Sequence, residues 1–263
     1  KDSKQLDEVV IAFGTTTRNE LTNSVTKISA KDIEQRPISN LNSALVGASP
    51  GVQTTAGSGQ PGEGPDLRIR GFGSVTGDNA PLYILDGAPY EGVISNINPE
   101  DIDNISILKD ASATAIYGSR GANGVILVTT LKGKKNQKAT FTYNGFSGIK
   151  QVFSKYPMMD GPEFQKLRAA RGQFVNGADE SNDVNTDWQD FIFRTGMTQQ
   201  HNLSVAGGSE ATKYFFSLGF TDQQSAIKPN DLSRYSFRAN LDHKVSKSIR
   251  MGTSMSYSLT EIL

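Results

Sequence analysis

The residues best placed to do chemistry in this chain are a glycine run, two histidines and a set of aspartates. Gly118, Gly121 and Gly124, in GSRGANG, have the density of a phosphate loop. Such a loop must aim backbone amides from the start of a helix, so the order has to be strand, loop, helix. Here the spacing is GxxGxxG, no GK[ST] comes after it, and the run leads out of an expected helix at 111–117 into a strand. It reads as a tight turn, with Arg120 on nearby carbonyls or acids. His201 and His243 fall on separate expected strands with no carboxylate pair at ligand spacing. Neither Ser-His-Asp nor HExxH logic assembles around them. Asp86-Gly87 comes after a β run and reads first as a turn, second as a buried hydrogen-bonding aspartate. Asp101, Asp103 and Asp110 read as helix caps. The chain has no cysteine, which removes disulfides and thiolate metal sites. No catalytic residue, metal site or cofactor motif emerges.

The elements that carry these residues point elsewhere. Lys plus Arg equal Asp plus Glu at 27 each, so no global field draws the chain to nucleic acid or anionic lipid. The run at 132–135 reads as a solvated turn. No apolar stretch reaches the ~18–20 residues of a transmembrane helix, which leaves β-barrel strands open because they are apolar only at alternate positions. Residues 6–11 are β-prone, either an ordinary edge strand or an extended segment for capture by strand addition. A strand is expected at 24–29, and Ser39 can cap a helix bearing Leu41, Ala44, Leu45 and Ala48, stopped by Pro50-Gly51. A Gly/Pro loop covers 57–64. Strands are expected at 67–70, 82–85, 105–108 and 125–130. Asn98 caps a turn with Pro99 at its first position, Asp110 caps 111–117, and Gly118 ends that helix in a left-handed conformation.

From about residue 140 the period changes to two. Tyr214, Phe216, Leu218 and Phe220 oppose Lys213, Phe215, Ser217, Gly219 and Thr221. The runs 234–242 and 249–259 alternate in the same way, and 140–149 and 199–207 do so less cleanly. About five strands of ~10 residues result, the length of an outer-membrane strand. Short helices are expected at 161–171 and 188–193, in one long connection. A soluble antiparallel sandwich alternates too. Charge on the polar faces (Arg234, Arg238, Asp242) suits a wet lumen, and aromatics on the apolar faces (Tyr214, Tyr235, Tyr257) suit an interfacial girdle. Five strands cannot close, and the pattern stops in mid-strand, so the expectation is the front part of a longer protein.

Several motifs carry a resemblance: LDEVVIAFGT, LNSALVGASPGVQTT, GQPGEGPDLRIRGFGS, PLYILDGAPY, INPEDIDNISILKDASATAIYGSRGANGVILVTTLKGK and TFTYNGFSGIKQ. They resemble the SusC/RagA family of TonB-dependent outer-membrane transporters of Bacteroidetes, most specifically between Arg68 and Gly133. The resemblance implies an α+β plug domain followed by the first strands of a transmembrane antiparallel β-barrel, 22-stranded in the full-length family. It divides the chain into a TonB-box-like segment and linker (1–14), a plug (15–135) and the start of the barrel (136–263). It makes Leu6, Asp7, Glu8, Val9, Val10 and Ile11 the TonB-binding segment. The plug motif then comprises Arg68, Arg70, Gly71, Asp86, Gly87, Lys109, Asp110, Tyr117, Gly118, Arg120, Gly121 and Gly124. The loops 57–64 and 72–80, with Phe72, Asp78 and Asn79, would face substrate. Implied partners are a SusD-like lipoprotein lid, TonB with its inner-membrane energising complex, outer-membrane lipid, and a glycan or peptide cargo. The implied activity is active import, not catalysis. The rivals are a siderophore- or cobalamin-type receptor of the wider superfamily and a surface-binding module without transport.

Overall fold

The computed structural model describes residues 8–11, 14–17, 25–30, 32, 40–55, 57–71, 73–74, 79–110, 114–172, 185–246 and 248–263. Glu8–Ile11 (β1) pairs antiparallel with Gly14–Thr17 (β2). Chain order continues through Val25–Ser29 (β3), Val52–Thr55 (β4), Asp66–Ile69 (β5), Leu82–Leu85 (β6), Ala88–Pro89 (β7), Ile102–Leu108 (β8) and Val125–Thr130 (β9). β4 and β5 form a separate antiparallel pair, while the others make a mixed sheet in the order β3-β8-β9-β6-β7. Only β6 and β9 run parallel in it.

β9 opens on a continuous apolar run, VILV, and β8 buries every residue but Asp103, as strands covered on both faces require. One face packs Ile102, Ile105, Ile107, Ile126 and Val128 against Leu41 and Leu45 of the helix Leu41–Ala44, and against Leu67, Ile69, Tyr83 and Ile97. The other face gathers Ile84, Leu108, Val125 and Leu127 beneath Leu82 and Tyr117. This first unit therefore has a dry core of its own.

Gln137–Lys150 (β10), Gly196–Gly208 (β11), Thr212–Gln224 (β12), Asp231–Lys244 (β13) and Arg250–Ile262 (β14) form an antiparallel meander in sequence order. Its faces are inverted relative to a soluble sandwich. Leu203, Leu218, Tyr235, Met255, Tyr257 and Leu259 are exposed, while Asn202, Ser217, Thr221, Arg234, Arg238 and Asn240 are buried. The exposed face carries an aromatic row across four strands. Tyr143, His201, Phe220 and Tyr235 succeed one another at centroid spacings of 6.1, 6.4 and 5.1 Å. Connections at one end are short (209–211 and 245–249), whereas the first at the other end spans 151–195 and holds the helices Gly161–Ala170 and Trp188–Ile192. The strands number five, and they do not close into a barrel.

Several local expectations are corrected. The first helix is capped by Asn40, whose side chain accepts from the Asn42 amide at 2.9 Å; Ser39 lies outside the described residues. Residues 111–113 of the expected 111–117 helix also lie outside them. Thr114 is helical, its amide donating to the Asp110 carbonyl at 3.1 Å, and Ala115–Gly121 is a 3-10 segment in which Gly118 (φ 61°, ψ −148°) ends the first turn at positive φ before a second carries the chain to Gly121. The turn Pro99–Asp101 is capped by Asn98, as its sequence suggests, and Asp101 is buried inside it. Asp103 accepts from its neighbour Asn104, so neither it nor Asp101 is a side-chain cap; Asp110 pairs with Arg70 and its carbonyl accepts from the Thr114 amide at 3.1 Å, while the amides its side chain would cap lie outside the described residues. Arg234 and Arg238 do not line open water; both are covered by the first unit, because buried polar groups there can pair with them. Phe215, on the otherwise polar face, is buried as well.

An exposed apolar sheet face suits hydrocarbon. Leu218, at mid-strand between Leu203 and Phe237, is its test position. Leu218→Arg should lower bilayer-inserted stability of the full-length protein by about 2–4 kcal/mol, read from a urea titration in lipid vesicles. Equal stability of the two proteins would mean that this face does not meet lipid.

Candidate functional site

The polar face of the wall sheet and the first unit meet along one seam. Asn144 of β10 donates to Glu100 at 2.6 Å, and Asn98 donates to Asn202 of β11 at 3.0 Å. On β13, Arg234 donates to the Ser95 carbonyl, and Asn240 to Thr130 Oγ1 at 2.9 Å and to the Leu131 carbonyl at 2.7 Å. Thr260 of β14 donates to Asn96 Oδ1 at 3.0 Å. β12 contributes closeness instead, since a Cβ on Gly219 would lie 2.8 Å from Asn98 Nδ2. Glycine at that position lets the capping asparagine reach β11.

At the middle of the seam Arg238, 4% exposed, stands between two aspartates of the first unit. Its Nη1 is 3.5 Å from Asp86 Oδ2, and its Nε is 3.7 Å from Asp101 Oδ2. Asp86 is already held, because the Thr130 amide and hydroxyl donate to its two oxygens at 2.9 and 2.7 Å. Asp101 is held less well. Its Oδ1 and the nearby Ser217 Oγ lack a well-formed hydrogen bond, as does Arg238 Nε. Burial therefore pushes the Asp101 carboxyl above its ordinary range, and the Ser217 hydroxyl and Arg238 guanidinium only partly pull it back. A cavity of about 210 Å³ adjoins this cluster, lined by Asn96, Asn98, Ser236, Ser256 and Ser258 among others. The seam is thus polar, and its central charges are separated by more than a hydrogen-bond length.

The motif residues mostly hold the first unit together. Arg68 lies on β5 opposite Gln53. Arg70 and Gly71 leave β5 at positive φ, and Arg70 pairs with Asp110 while its amide donates to Gly51. Asp86 and Gly87 form the turn between β6 and β7, so both alternatives for Asp86, turn and buried acceptor, hold at once. Lys109 Nζ reaches Ser49 Oγ at 2.9 Å, the Pro50 carbonyl at 3.1 Å and Thr26 Oγ1 at 3.3 Å. Tyr117 packs under the second apolar cluster, and burial raises its phenol. Arg120 pairs with Glu91 at 2.6 Å, Gly118 kinks the 3-10 segment, and Gly121 is buried at its end. Gly124 enters β9 at φ +92°, and a Cβ there would lie 2.7 Å from Ile69 Cδ1. The run is a packing turn.

Of the substrate-facing candidates, Phe72 and Asp78 lie outside the described residues. Asn79 is half-buried; its Oδ1 accepts from the Gly73 and Ser74 amides, both at 2.8 Å. It lines a cavity of about 410 Å³ with Asn42, Asp66, Arg68 and Tyr83. Gln60 to Gly64 line a neighbouring cavity of about 330 Å³ with Asn40, Asn42 and Ile262. The second reaches the end of the wall where the long connections are, at Ile262, which pairs with Leu232, and it shares Asn42 and Ile94 with the first. Of the 6–11 segment, Leu6 and Asp7 lie outside the described residues, and Glu8, Val9, Val10 and Ile11 form β1. Among the described residues no cluster of His, Asp or Glu could hold a metal ion.

Comparison with known proteins bears on all of these features. Residues 17–125 match the family model for the TonB-dependent receptor plug domain. The chain is 38% identical, over 96% of its length, to TonB-dependent receptor P26 of Formosa agariphila. It is 38% identical, over 91%, to TonB-dependent receptor SusC of Bacteroides thetaiotaomicron. It spans about a quarter of those relatives, 27% and 25% of their lengths. Among solved structures, the RagAB peptide importer in its open-open state superposes with a TM-score of 0.88 at 30% identity, over 98% of this chain and 32% of that one. The siderophore receptor PirA of Pseudomonas aeruginosa shares the fold, with a TM-score of 0.59 at 19% identity over 93% of this chain and 35% of that one.

Arg238→Ala strands two buried carboxylates and should weaken seating of the first unit by about 3–5 kcal/mol. Asp101→Asn should change it far less, because burial of that charge is poorly repaid. The folded Asp101 carboxyl takes its proton at a higher pH than the unfolded one. Its contribution is therefore full below the ordinary value of 3.8 and is lost as pH rises through the raised one. Relative to a free thiol labelled at the same pH, maleimide labelling of a Ser217→Cys reporter, covered when the unit is seated, should slow on acidification, and Asp101→Asn should remove that extra dependence. Separately, Gly124→Ala should cost about 1–3 kcal/mol through positive φ and the clash with Ile69, visible as a lower urea midpoint.

Proposed function

The chain belongs to the TonB-dependent receptors of the SusC and RagA type, and from that premise we propose that it carries the gate and the first wall strands of an outer-membrane importer. In this reading residues 1–14 are the coupling segment and linker, 15–135 the plug, and 136–263 the start of the barrel. The carrying observation is the inverted wall sheet, apolar outward and hydrogen-bonded inward to a unit with its own dry core. A soluble protein has no use for that arrangement, whereas a plugged barrel requires it.

Barrels of this kind keep short turns on the periplasmic side and longer loops outside. That rule puts the 209–211 and 245–249 connections and the β9–β10 junction toward the periplasm, and the cavities at Asn42, Gln60 and Asn79 toward the exterior. Cargo would enter from outside onto this polar basin, beneath a SusD-like lipoprotein lid. TonB would add a strand to residues 6–11 and pull, drawing on the inner-membrane proton gradient. The seam suits such a gate, because its hydrogen bonds and buried ion cluster hold the centre of the unit to the wall while force acts on its N-terminal edge. Cargo is an oligosaccharide or an oligopeptide. Likeness to SusC and to the RagAB peptide importer favours these over a siderophore, since it extends over nearly the whole chain, whereas the sequence match to the ferric enterobactin receptor PirA covers only 52% of it.

Replacing Val9 and Val10 together by proline in the full-length protein should reduce uptake of labelled cargo to the level of cells lacking TonB. Surface binding of the same cargo should stay within about twofold, because the basin is untouched. Undiminished uptake would remove the segment from the mechanism.

A further inference from the structure

β1 is one half of a hairpin, and this decides which of its peptide groups another chain can reach. Ile11 and Gly14 stand opposite each other across a two-residue connection. A closing pair of that kind exchanges both of its N–H···O=C bonds. Antiparallel pairing alternates, so Val9–Thr16 is the next bonded pair, and Val10–Thr15 and Glu8–Thr17 are the non-bonded ones. The N–H and C=O groups of Val9 and Ile11 are therefore engaged by β2. Those of Glu8 and Val10 point away from β2, along the hairpin's other edge. Among the described residues that edge pairs with no further strand, since β1 and β2 form a two-stranded sheet of their own.

We propose that the energising partner's strand adds to this outer edge as a third strand, in the order β2-β1-partner, bonding to the peptide groups of Glu8 and Val10 while β2 stays in place. The inference rests on residues 6–11 being the coupling segment. An open edge is a template for strand addition, and a two-stranded hairpin is marginal until a third strand joins it. β2 orders the segment before capture, so less chain entropy is lost when the partner binds. It also blocks the other edge, which restricts the partner to one register parity. Pulling would then load a three-stranded sheet instead of a lone strand.

Single prolines separate the two edges. At Val10 proline removes an N–H that faces away from β2, a position where hairpins tolerate it. At Val9 it removes an N–H bonded to β2. The assay measures binding of TonB's purified periplasmic domain to the full-length receptor in membranes, each proline variant compared with the alanine variant at its own position. Val10→Pro should weaken capture at least tenfold more than Val9→Pro. Equal losses, or a larger loss for Val9→Pro, would overturn the outer-edge assignment and mean that the partner displaces β2, while the coupling role stands. If neither proline alters capture and the double variant still imports cargo, the coupling reading itself falls and this inference with it.

Discussion

The structure depends on satisfying polar groups on a sheet whose apolar side faces outward. Five amphipathic strands bring Asn144, Asn202, Ser217, Arg234, Arg238 and Asn240 to one face. Unpaired and away from water, such groups cost several kcal/mol each. The first unit supplies partners for most of them: Ser95, Asn98, Glu100, Thr130 and Leu131 through hydrogen bonds, and Asp86 and Asp101 beside Arg238. Most of these lie in connections or at strand ends, where backbone carbonyls and side chains are not consumed by the sheet ladder. The seam is therefore built from the termini of one sheet against the face of another.

A seam of this kind must leave the first unit's core undisturbed, and the two are kept apart. The dry clusters around Ile105, Ile107, Ile126 and Val125 lie within the mixed sheet. The motif residues brace that sheet from outside: Lys109 fastens β3 and the turn at Pro50, Arg70 pairs with Asp110, and Gly124 admits Ile69. These residues are legible in the sequence as a family pattern, yet their individual roles are not. Sequence alone shows that a glycine run is no phosphate loop, but it does not show that Gly124 is glycine because of Ile69.

Legibility tracks the locality of the forces. Asn98-Pro99 and the 125–130 strand are readable because cap geometry and apolar runs are set by neighbours in sequence. The stop at Gly118 is legible as a glycine at positive φ, but the second 3-10 turn after it, to Gly121, is not, because it is set by packing rather than by local propensity. The five wall strands are visible from their period. Their polar face reads as water-facing in the sequence and meets the first unit in the structure. Arg238 and Asp101 are far apart along the chain, and alternation carries no information about a partner. Of the candidate site, the basin loops are legible from glycine and proline, and the seam only as charge on strands.

The topology adds a constraint on how such a gate would open. In the proposed mechanism force enters at β1 and travels along the chain to β3 before any other strand of the mixed sheet. β3 is an edge strand, held by five registered pairs to β8, whereas β8, β9 and β6 lie inside the sheet. Removing an edge strand breaks one ladder, but removing β9 would break two. Loss of β3 also frees Thr26, one of the three acceptors of Lys109, and uncovers Ile28 from the first apolar cluster. The periphery is thus the least stable part of the unit and the part nearest to the pull, as local unfolding of graded stability requires. The central strands and the Arg238 cluster stay behind. A partial opening through the lost edge is easier with this order of strands than ejection of the whole plug, because ejection would have to break the seam and its buried ion cluster at once.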